Sequence, residues 1–390
     1  MTPPAPGTAV LCVVGARPNF MKIAPVIRAM REVEPPIPAI LLHTGQHYDS
    51  EMNGQYFKAL GIPDPDINLD VRSGSHAMQT AEIMRRFEPV LDAERPAAVL
   101  VVGDVNSTVA CALVAAKKQL PVVHVEAGLR SNDRAMPEEI NRVLTDQLSA
   151  LLYTTEKAAR ANLLREGIAD HRIRFVGNVM IDTLRENLGQ AVPAAELFRR
   201  HGHAHAGARW AEAGFAVLTL HRPSNVDAPE VLRALLGAIR EISAATPVVF
   251  PVHPRTRAAI IKHGLGALLE SPAILQLPPA GYLEMLGLMQ SATLVLTDSG
   301  GIQEETTALG IPCITLRENT ERPVTIDEGT NTLAGQDPAR IVALAHEILA
   351  TGGKRGRIPE LWDGNAAKRI AASLREWLDA GAPAWGLGAR

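Results

Sequence analysis

The feature that most constrains the fold is a regular alternation of short apolar runs, rich in β-branched residues, with longer amphipathic stretches. In the first half the predicted strands are residues 9–14, 37–43, 98–102, 121–125, 151–154 and 173–176, and the helical stretches include 19–32, 76–92, 107–118 and 137–149. In the second half the predicted strands are 216–220, 247–251, 273–276, 294–297 and 312–316, and the helical stretches include 228–243, 281–290 and 302–309. Strands that alternate with helices indicate parallel sheets covered on both faces.

The pattern stops and restarts once, in an Ala-, Gly- and His-rich stretch near residues 190–214 that carries no strand signal. A chain of 390 residues is also too long for one ordinary core. We therefore predict an α/β protein of two Rossmann-like domains facing a cleft, with ligands at the carboxyl ends of the strands. The predicted domains are residues 1–190 and 191–390, and the C-terminal helix is free to pack back on the first domain.

Composition excludes several classes of protein. The chain has 39 basic and 42 acidic residues, a net charge of −3, so nothing attracts nucleic acid or an anionic membrane in general and any anion site must be local. No signal peptide or membrane-length apolar stretch is found, so we expect a cytoplasmic location. Cys12, Cys111 and Cys313 each lie in an apolar segment and are predicted to be core residues.

Two strand ends have the features of anion sites. The strand at 294–297 runs into Asp298-Ser299-Gly300-Gly301 and then directly into a helix, whose N-terminal N–H groups favour a phosphate. The alternative is an ordinary turn capped by Ser299. After the first strand, Arg17 and Lys22 lie at a helix start and form either a second anion clamp or two solvated cations.

Carboxylates and a histidine follow other strands. Asp104 is either a helix cap or a functional acid, and Glu126 follows so apolar a run that it needs a partner or a shifted pKa. Glu138 opens the next helix, and His221 ends the first strand of the second half. These groups suit proton transfer beside an anionic leaving group.

Other sites are not predicted. His201, His203 and His205 alternate in the presumed linker with no Cys or carboxylate beside them, so we do not expect a metal there. The sequence shows no zinc spacing, no nucleophile elbow and no dinucleotide fingerprint. We therefore expect neither a metal nor a cofactor.

Eight segments, in order over roughly residues 9–335, resemble the non-hydrolysing UDP-N-acetylglucosamine 2-epimerase family. They are Gly15-Ala-Arg-Pro-Asn-Phe-Met-Lys22, Thr44-Gly-Gln-His-Tyr-Asp49, Gly103-Asp-Val-Asn-Ser-Thr108, His124-Val-Glu-Ala-Gly-Leu-Arg130, Met136-Pro-Glu-Glu-Ile-Asn-Arg142, His221-Arg-Pro223, Asp298-Ser-Gly-Gly-Ile-Gln-Glu-Glu305 and Glu321-Arg-Pro323.

The resemblance implies a GT-B-type fold, a homodimer and interconversion of UDP-N-acetylglucosamine and UDP-N-acetylmannosamine, a precursor of cell-surface polysaccharide. The implied route is elimination of UDP to a 2-acetamidoglucal, then re-addition with the opposite configuration at C2. The residues matching catalytic positions are Asp104, Glu126, Glu138 and His221. Those matching substrate-binding positions are Arg17, Lys22, His47, Arg222, Ser299, Gly300, Gly301, Glu305 and Arg322.

The resemblance leaves regulation and substrate open. Gln46, Arg72, Glu138, Arg222 and His253 match a regulatory site of some family members, whereas Asp49 and Ser224 depart from the regulated form. Alternative activities are a hydrolysing 2-epimerase that releases N-acetylmannosamine and UDP, or a 2-epimerase of a UDP-2,3-diacetamido uronic acid. A GT-B glycosyltransferase and a non-catalytic nucleotide-sugar sensor are further alternatives.

Overall fold

The computed structural model describes residues 7–45, 64–203, 210 and 213–382, apart from the side chain of Arg17. The chain divides into two compact units. Unit 1 comprises Met1–Glu186 together with Glu360–Arg390, and unit 2 comprises Asn187–Pro359.

Unit 1 is built on a parallel sheet whose described strands follow the order β3-β2-β1-β4-β5-β6-β7. The strands are β1 Val10–Val14, β2 Ala39–His43, β3 Ile67–Asn68, β4 Ala98–Val102, β5 Val122–Ala127, β6 Leu151–Thr154 and β7 Ile173–Phe175. The order reverses between β1 and β4, which makes that point the topological switch of the sheet.

Helices cover both faces of this sheet. They are α1 Arg17–Glu32, α2 His76–Glu94, α3 Asn106–Lys117, α4 Pro137–Leu148, α5 Lys157–Arg165, α6 Val179–Asn187 and the returning α15 Ala366–Asp379. On α2 the fully buried Ile83 and Phe87, with Leu91, form a stripe at a spacing of four residues that packs into the core. Burial of each such side chain contributes roughly 1.5–3 kcal/mol, which fixes α2 against the core that it shares with α3 and the sheet.

Unit 2 repeats the plan with the strand order β10-β9-β8-β11-β12-β13, and its switch lies between β8 and β11. The strands are β8 Ala216–Thr219, β9 Val248–Pro251, β10 Ile274–Leu277, β11 Leu294–Thr297, β12 Cys313–Thr315 and β13 Asn331–Leu333. The helices are α7 Ala194–Arg200, α8 Pro223–Val226, α9 Pro229–Ile242, α10 Pro254–Lys262, α11 Tyr282–Ser291, α12 Gly300–Leu309, α13 Val324–Asp327 and α14 Pro338–Thr351. Single 3₁₀ turns occur at Asp170–Arg172, Leu188–Gln190 and Gly266–Leu269.

The predicted α/β class is confirmed, and so is the burial of all three cysteines. The described part of the stretch near 190–214 contains no strand, in line with the sequence, but it does contain the helix α7, which was not predicted. That helix forms because Leu197 and Phe198 find apolar neighbours, with Phe198 packed edge-on against Phe215. No described helix is long and apolar enough to cross a membrane.

Candidate active site

The predicted functional residues gather at the carboxyl ends of the central strands in each unit. In unit 1, Asp104 follows β4 and Glu126 lies at the end of β5, and these two strands pair directly. In unit 2, His221 and Asp298 follow β8 and β11, which also pair. Open parallel sheets bind ligands at these ends.

Glu126 has an unusual backbone conformation. Its φ of 72° lies in the left-handed region, and the register of β5 against β6 shifts between Val125 and Ala127. A bulge of this kind turns a side chain out of the strand pattern, and the left-handed conformation costs roughly 1–3 kcal/mol in a residue other than glycine. Strain of this kind clusters at functional sites, which supports a functional role for Glu126.

The predicted partner of Glu126 is present. The Lys22 ammonium from α1 forms an ion pair with Glu126, and the two side chains are only 7% and 3% exposed. Lys22 is therefore not the solvated cation that one interpretation allowed. Asn19 fixes the start of α1, because its Oδ1 accepts from the Gly15 and Ala16 N–H groups and its Nδ2 donates to the Val102 carbonyl.

Gly103 lies where these groups converge. Its φ is +67°, and a Cβ atom there would stand 3.0 Å from Lys22 Nζ, 3.1 Å from Asn19 Nδ2 and 3.2 Å from Glu126 Oε2. Only glycine adopts this conformation readily and leaves that space open. The turn between β4 and Asp104 is thus packed directly against the Lys22–Glu126 pair.

Asp104 is not a helix cap. The residue at the cap of α3 is Val105, which makes no capping hydrogen bond. The Asp104 carboxylate instead lies 2.7 Å from Arg142 Nη2 and accepts from Arg142 Nε at 3.0 Å. Arg142 on α4 is buried and also contacts Glu139, so it anchors Asp104 from the neighbouring helix. Sequence reasoning did not single out Arg142.

Glu138 and Glu139 differ in environment although both open α4. Glu139 is buried and accepts from the Ser131 and Asn132 N–H groups, which fixes the loop after β5. Glu138 is partly exposed in the first turn of the helix. A carboxylate at a helix N-terminus is stabilised by the helix dipole.

In unit 2 the centre of the site is Asp298, which sequence reasoning did not select as a site residue. Its Oδ2 accepts from the His221 and Arg222 N–H groups, each at 2.9 Å, and from Asn225 Nδ2 at 3.2 Å. Its Oδ1 lies 2.9 Å from His221 Nδ1. Burial alone would raise the pKa of Asp298, but the His221 side chain and the backbone N–H groups of Arg222 and His221 lower it below its usual value. Asp298 is therefore ionised and orients an imidazole that is 39% exposed.

The side chain of His253 contacts this imidazole. The rings of His221 and His253 lie 5.6 Å apart between centroids. His253 also accepts from the Arg255 N–H and so caps α10. Its position limits the orientations that the His221 ring can adopt.

Ser299 occupies the N-cap position of α12, but its side chain makes no capping hydrogen bond. The interpretation of Ser299 as a side-chain cap is therefore wrong. Gly300 begins the helix, and a Cβ there would lie 2.6 Å from Arg322 Nη1. Glycine thus allows the Arg322 guanidinium to approach the helix N-terminus.

Arg322 is held in place by two carboxylates. Its Nε lies 2.8 Å from Glu304, and its Nη1 contacts Glu321. Glu321 also binds Arg317 at 2.7 Å and lies 3.9 Å from Arg222. The site therefore places guanidinium groups around the start of α12 in fixed positions.

Glu305, one turn into α12, is buried. Burial raises its pKa to about 8, against a hydrogen bond from Tyr282 that lowers it, and Glu304 raises it further. At neutral pH Glu305 is mostly protonated. It adds little negative charge near the helix N-terminus and can donate a hydrogen bond.

The remaining predicted site residues are less informative. Arg72 is exposed and lines a groove of about 440 Å³ with Gly74, Met78 and Arg86. Gly301 is partly buried in the first turn of α12. Gln46, His47, Asp49 and His205 lie outside the described residues, as does the side chain of Arg17. Within the ranges that are described, no cluster of His, Cys, Asp and Glu could hold a metal ion.

Comparison with known proteins adds to this geometry. Residues 30–375 match the family model described as UDP-N-acetylglucosamine 2-epimerase. The UDP-N-acetylglucosamine 2-epimerase of Methanococcus maripaludis is 41% identical over 361 residues, which cover 92% of this chain and 96% of that protein. The UDP-2,3-diacetamido-2,3-dideoxy-D-glucuronate 2-epimerase of Pseudomonas aeruginosa is 40% identical, with 94% and 99% covered.

Among solved structures, the UDP-GlcNAc 2-epimerase of Methanocaldococcus jannaschii in complex with UDP-GlcNAc and UDP is similar with a TM-score of 0.83. It is 40% identical, and the match covers 94% of this chain and 99% of that one.

Proposed function

Because this chain belongs to the UDP-N-acetylglucosamine 2-epimerase family, we propose that it interconverts UDP-N-acetylglucosamine and UDP-N-acetylmannosamine. The configuration at C2 is inverted while the nucleotide and the rest of the sugar are retained. The route is elimination of UDP across C1 and C2, followed by re-addition.

The observation that carries this proposal is the arrangement of Asp104 and Glu126. Two carboxylates end neighbouring strands, and each is held by a buried cation, Arg142 and Lys22 respectively. Inversion at C2 requires one proton to leave one face and another to arrive on the opposite face. More than one acid/base group beside the sugar meets that need, and Glu138 at the start of α4 is a third candidate.

The hydrogen on C2 is barely acidic while UDP remains attached, since no carbonyl adjoins C2 in the ring. Departure of UDP makes it removable. As the C1–O bond breaks, the electron pair stays with the phosphate oxygen, the C2–H electrons form the C1–C2 double bond, and a carboxylate takes the proton. In the reverse step a proton is delivered to the other face of C2 and the phosphate oxygen re-forms its bond to C1.

We assign the UDP end to unit 2. The N-terminus of α12 at Ser299 and Gly300 offers N–H groups and a positive dipole end to a diphosphate. Arg222, partly exposed at 25%, adds charge beside it. His221, oriented by ionised Asp298, can donate a hydrogen bond to the leaving phosphate oxygen, where negative charge develops.

The direct test is NMR of purified protein incubated with UDP-N-acetylglucosamine alone. We expect UDP-N-acetylmannosamine to appear and to reach a constant ratio with substrate. Accumulation of free N-acetylmannosamine and UDP would assign the hydrolysing reaction, because water then adds to C1 in place of UDP. Asp104→Asn is the matched variant and should stop product formation while UDP still binds.

A second candidate substrate is a UDP-2,3-diacetamido uronic acid. It is favoured by the Pseudomonas aeruginosa relative, whose 40% identity equals that of the Methanocaldococcus jannaschii UDP-N-acetylglucosamine 2-epimerase. Parallel assays with both nucleotide sugars decide between them. A kcat/KM at least about a hundredfold higher for the uronic acid nucleotide than for UDP-N-acetylglucosamine would identify it as the substrate instead. Such a ratio corresponds to about 2.7 kcal/mol of transition-state binding.

We also propose that the protein is a homodimer. Unit 1 exposes large apolar side chains on adjacent helices: Met78 of α2 is 69% exposed, and Ile140 and Leu144, one turn apart on α4, are 42% and 49% exposed. A groove of about 390 Å³ between these helices is lined by apolar Ala77, Ala81, Met84, Pro137 and Ile140 and by polar His76, Thr80, Asn106 and Asn141. Sedimentation should give twice the chain mass, and Leu144→Lys should reduce it to one chain. A monomeric wild type would contradict the proposal.

A further inference from the structure

We propose that His124 and Asp146 form a positioning pair that holds the strand-end turns carrying Asp104 and Glu126 at a fixed separation. This inference rests on the proposed function, because it concerns the placement of the two acids. It adds two residues that neither touch the sugar in that scheme nor exchange protons with it.

His124 lies in β5, two residues before Glu126, and its side chain is fully buried. Its Nε2 lies 2.9 Å from the carbonyl oxygen of Gly103, on the neighbouring strand end. Gly103 directly precedes Asp104, so this hydrogen bond acts on the turn that projects the first acid.

Asp146, on α4, completes the connection. Its Oδ1 lies 2.7 Å from His124 Nδ1, and its Oδ2 accepts from the Gly128 N–H at 3.1 Å. Gly128 follows the bulge at Glu126. Arg130 Nη2 contacts the same oxygen at 2.7 Å. A single buried carboxylate therefore links the turn after β5 to the histidine that holds the turn after β4.

His124 is placed to hold backbone rather than to reach a substrate. Its Nε2 faces the Gly103 carbonyl oxygen, and its Nδ1 faces Asp146 Oδ1. Burial would raise the pKa of Asp146, but His124 and Arg130 lower it below its usual value. Both ring nitrogens are occupied and the ring is buried, which leaves it no way to reach a substrate.

The turns need such support because Glu126 is strained. A left-handed glutamate persists only where its surroundings over-determine the backbone. A displacement of about 1 Å in a reacting group can cost a hundredfold in rate. Loss of the pair should therefore lower turnover without weakening the binding of UDP, whose contacts we assign to unit 2.

Two substitutions distinguish the contact made by Nε2 of His124 from the contact made by Nδ1. In His124→Gln the amide nitrogen can reach the place of Nε2 and donate to the Gly103 carbonyl. In His124→Asn the shorter amide reaches only the place of Nδ1 and the contact with Gly103 is lost. Asp182→Asn is the matched control: Asp182 is also a buried carboxylate of unit 1 that accepts two backbone N–H groups, from Ala366 and Ala367, but these lie at the start of α15.

The measurements are kcat and KM for epimerisation, the melting temperature, and amide hydrogen exchange at residues 103–105 and 126–128. We expect His124→Asn to lower kcat about 10- to 100-fold with KM little changed, and to speed exchange at 103–105. His124→Gln should lose less than tenfold, and Asp182→Asn should lose stability but keep its kcat.

Two results overturn the inference. One is wild-type kcat in His124→Asn. The other is an equal loss of kcat in all three variants that follows their melting temperatures, which would make the pair merely structural. A wild type that does not epimerise either sugar nucleotide would instead refute the proposed function itself.

Discussion

The Asp298→Asn substitution is the most direct test of the role of Asp298 in unit 2. It removes the negative charge of the side chain and keeps the size and shape of that side chain. The amide oxygen can still accept from the His221 and Arg222 N–H groups, as Oδ2 does now. The amide nitrogen then faces His221 Nδ1 and donates to it, so the imidazole must act as an acceptor there. The ring thereby loses its contact with a negatively charged oxygen, Asp298 Oδ1.

The size of the effect follows from that lost contact. A polar contact with a buried charged group contributes about as much as a hydrogen bond to one, about 1.5–3 kcal/mol. If it acts in the transition state, where His221 meets the charge on the departing phosphate, the loss corresponds to roughly 10- to 150-fold in kcat. Binding of UDP should change much less, because Ser299 and Gly300 remain at the helix start.

The assay is steady-state epimerisation at neutral pH, with UDP affinity by calorimetry and folding by circular dichroism. Asp227→Asn is the matched control, since it makes the same chemical change in an exposed ion pair with Arg255, 53% and 46% exposed. Such a pair contributes less than about 1 kcal/mol, and kcat should stay at the wild-type value. A folded Asp298→Asn enzyme within twofold of wild-type kcat would refute the assigned role of His221.

Three further predictions concern the same sites. Glu126→Gln leaves the buried Lys22 ammonium without this carboxylate, so the free energy of unfolding should fall by about 3–5 kcal/mol. Adding Lys22→Met should recover most of that lost stability, while kcat stays at least about a hundredfold below the wild-type value. Recovery of activity along with stability would contradict an acid/base role. Gly103→Ala should lower kcat at least about tenfold, because the added methyl group crowds the Lys22–Glu126 pair beside Asp104. Gly167→Ala is the control, at a φ of +83° with open space around it, and should lose stability but keep its kcat. Burial raises the pKa of Glu305 to about 8. UDP affinity should therefore fall severalfold as the pH rises through 8, because Glu305 then becomes negatively charged. This decline should be absent in Glu305→Gln, and an equal decline in that variant would exclude Glu305 as its cause.

Much of the fold could be predicted from the sequence because buried parallel strands are continuous apolar runs. The runs at β4 and β11 coincide with the observed strands. The edge strands β3 and β13 were not predicted, since two or three residues such as Ile67–Asn68 carry no such run. The helix α7 was not predicted because the contact that buries its apolar face, between Phe198 and Phe215, is a tertiary contact that the local sequence does not show.

The site was predictable where strand ends carry unusual polar residues, and less so where tertiary contacts define the role. The need of Glu126 for a partner followed from the apolar run before it, but its left-handed backbone depends on a register shift between β5 and β6. Asp298 was read as part of a phosphate-binding turn. Its pairing with His221 follows from the parallel register of β8 and β11, where Thr219 lies opposite Thr297. Polar residues that follow two neighbouring strands would have been the signal.

The central claim is that C2 loses its hydrogen as a proton after UDP departs and regains one on the opposite face. The most direct measurement is the reaction in heavy water with UDP-N-acetylglucosamine and purified protein, read by NMR and mass spectrometry at early times. The account predicts product with one deuterium at C2 from the first turnover, because the returning proton comes from a group that exchanges with water. Deuterium should enter the substrate only as reversal proceeds. Product that fully retains its original C2 hydrogen would contradict the account.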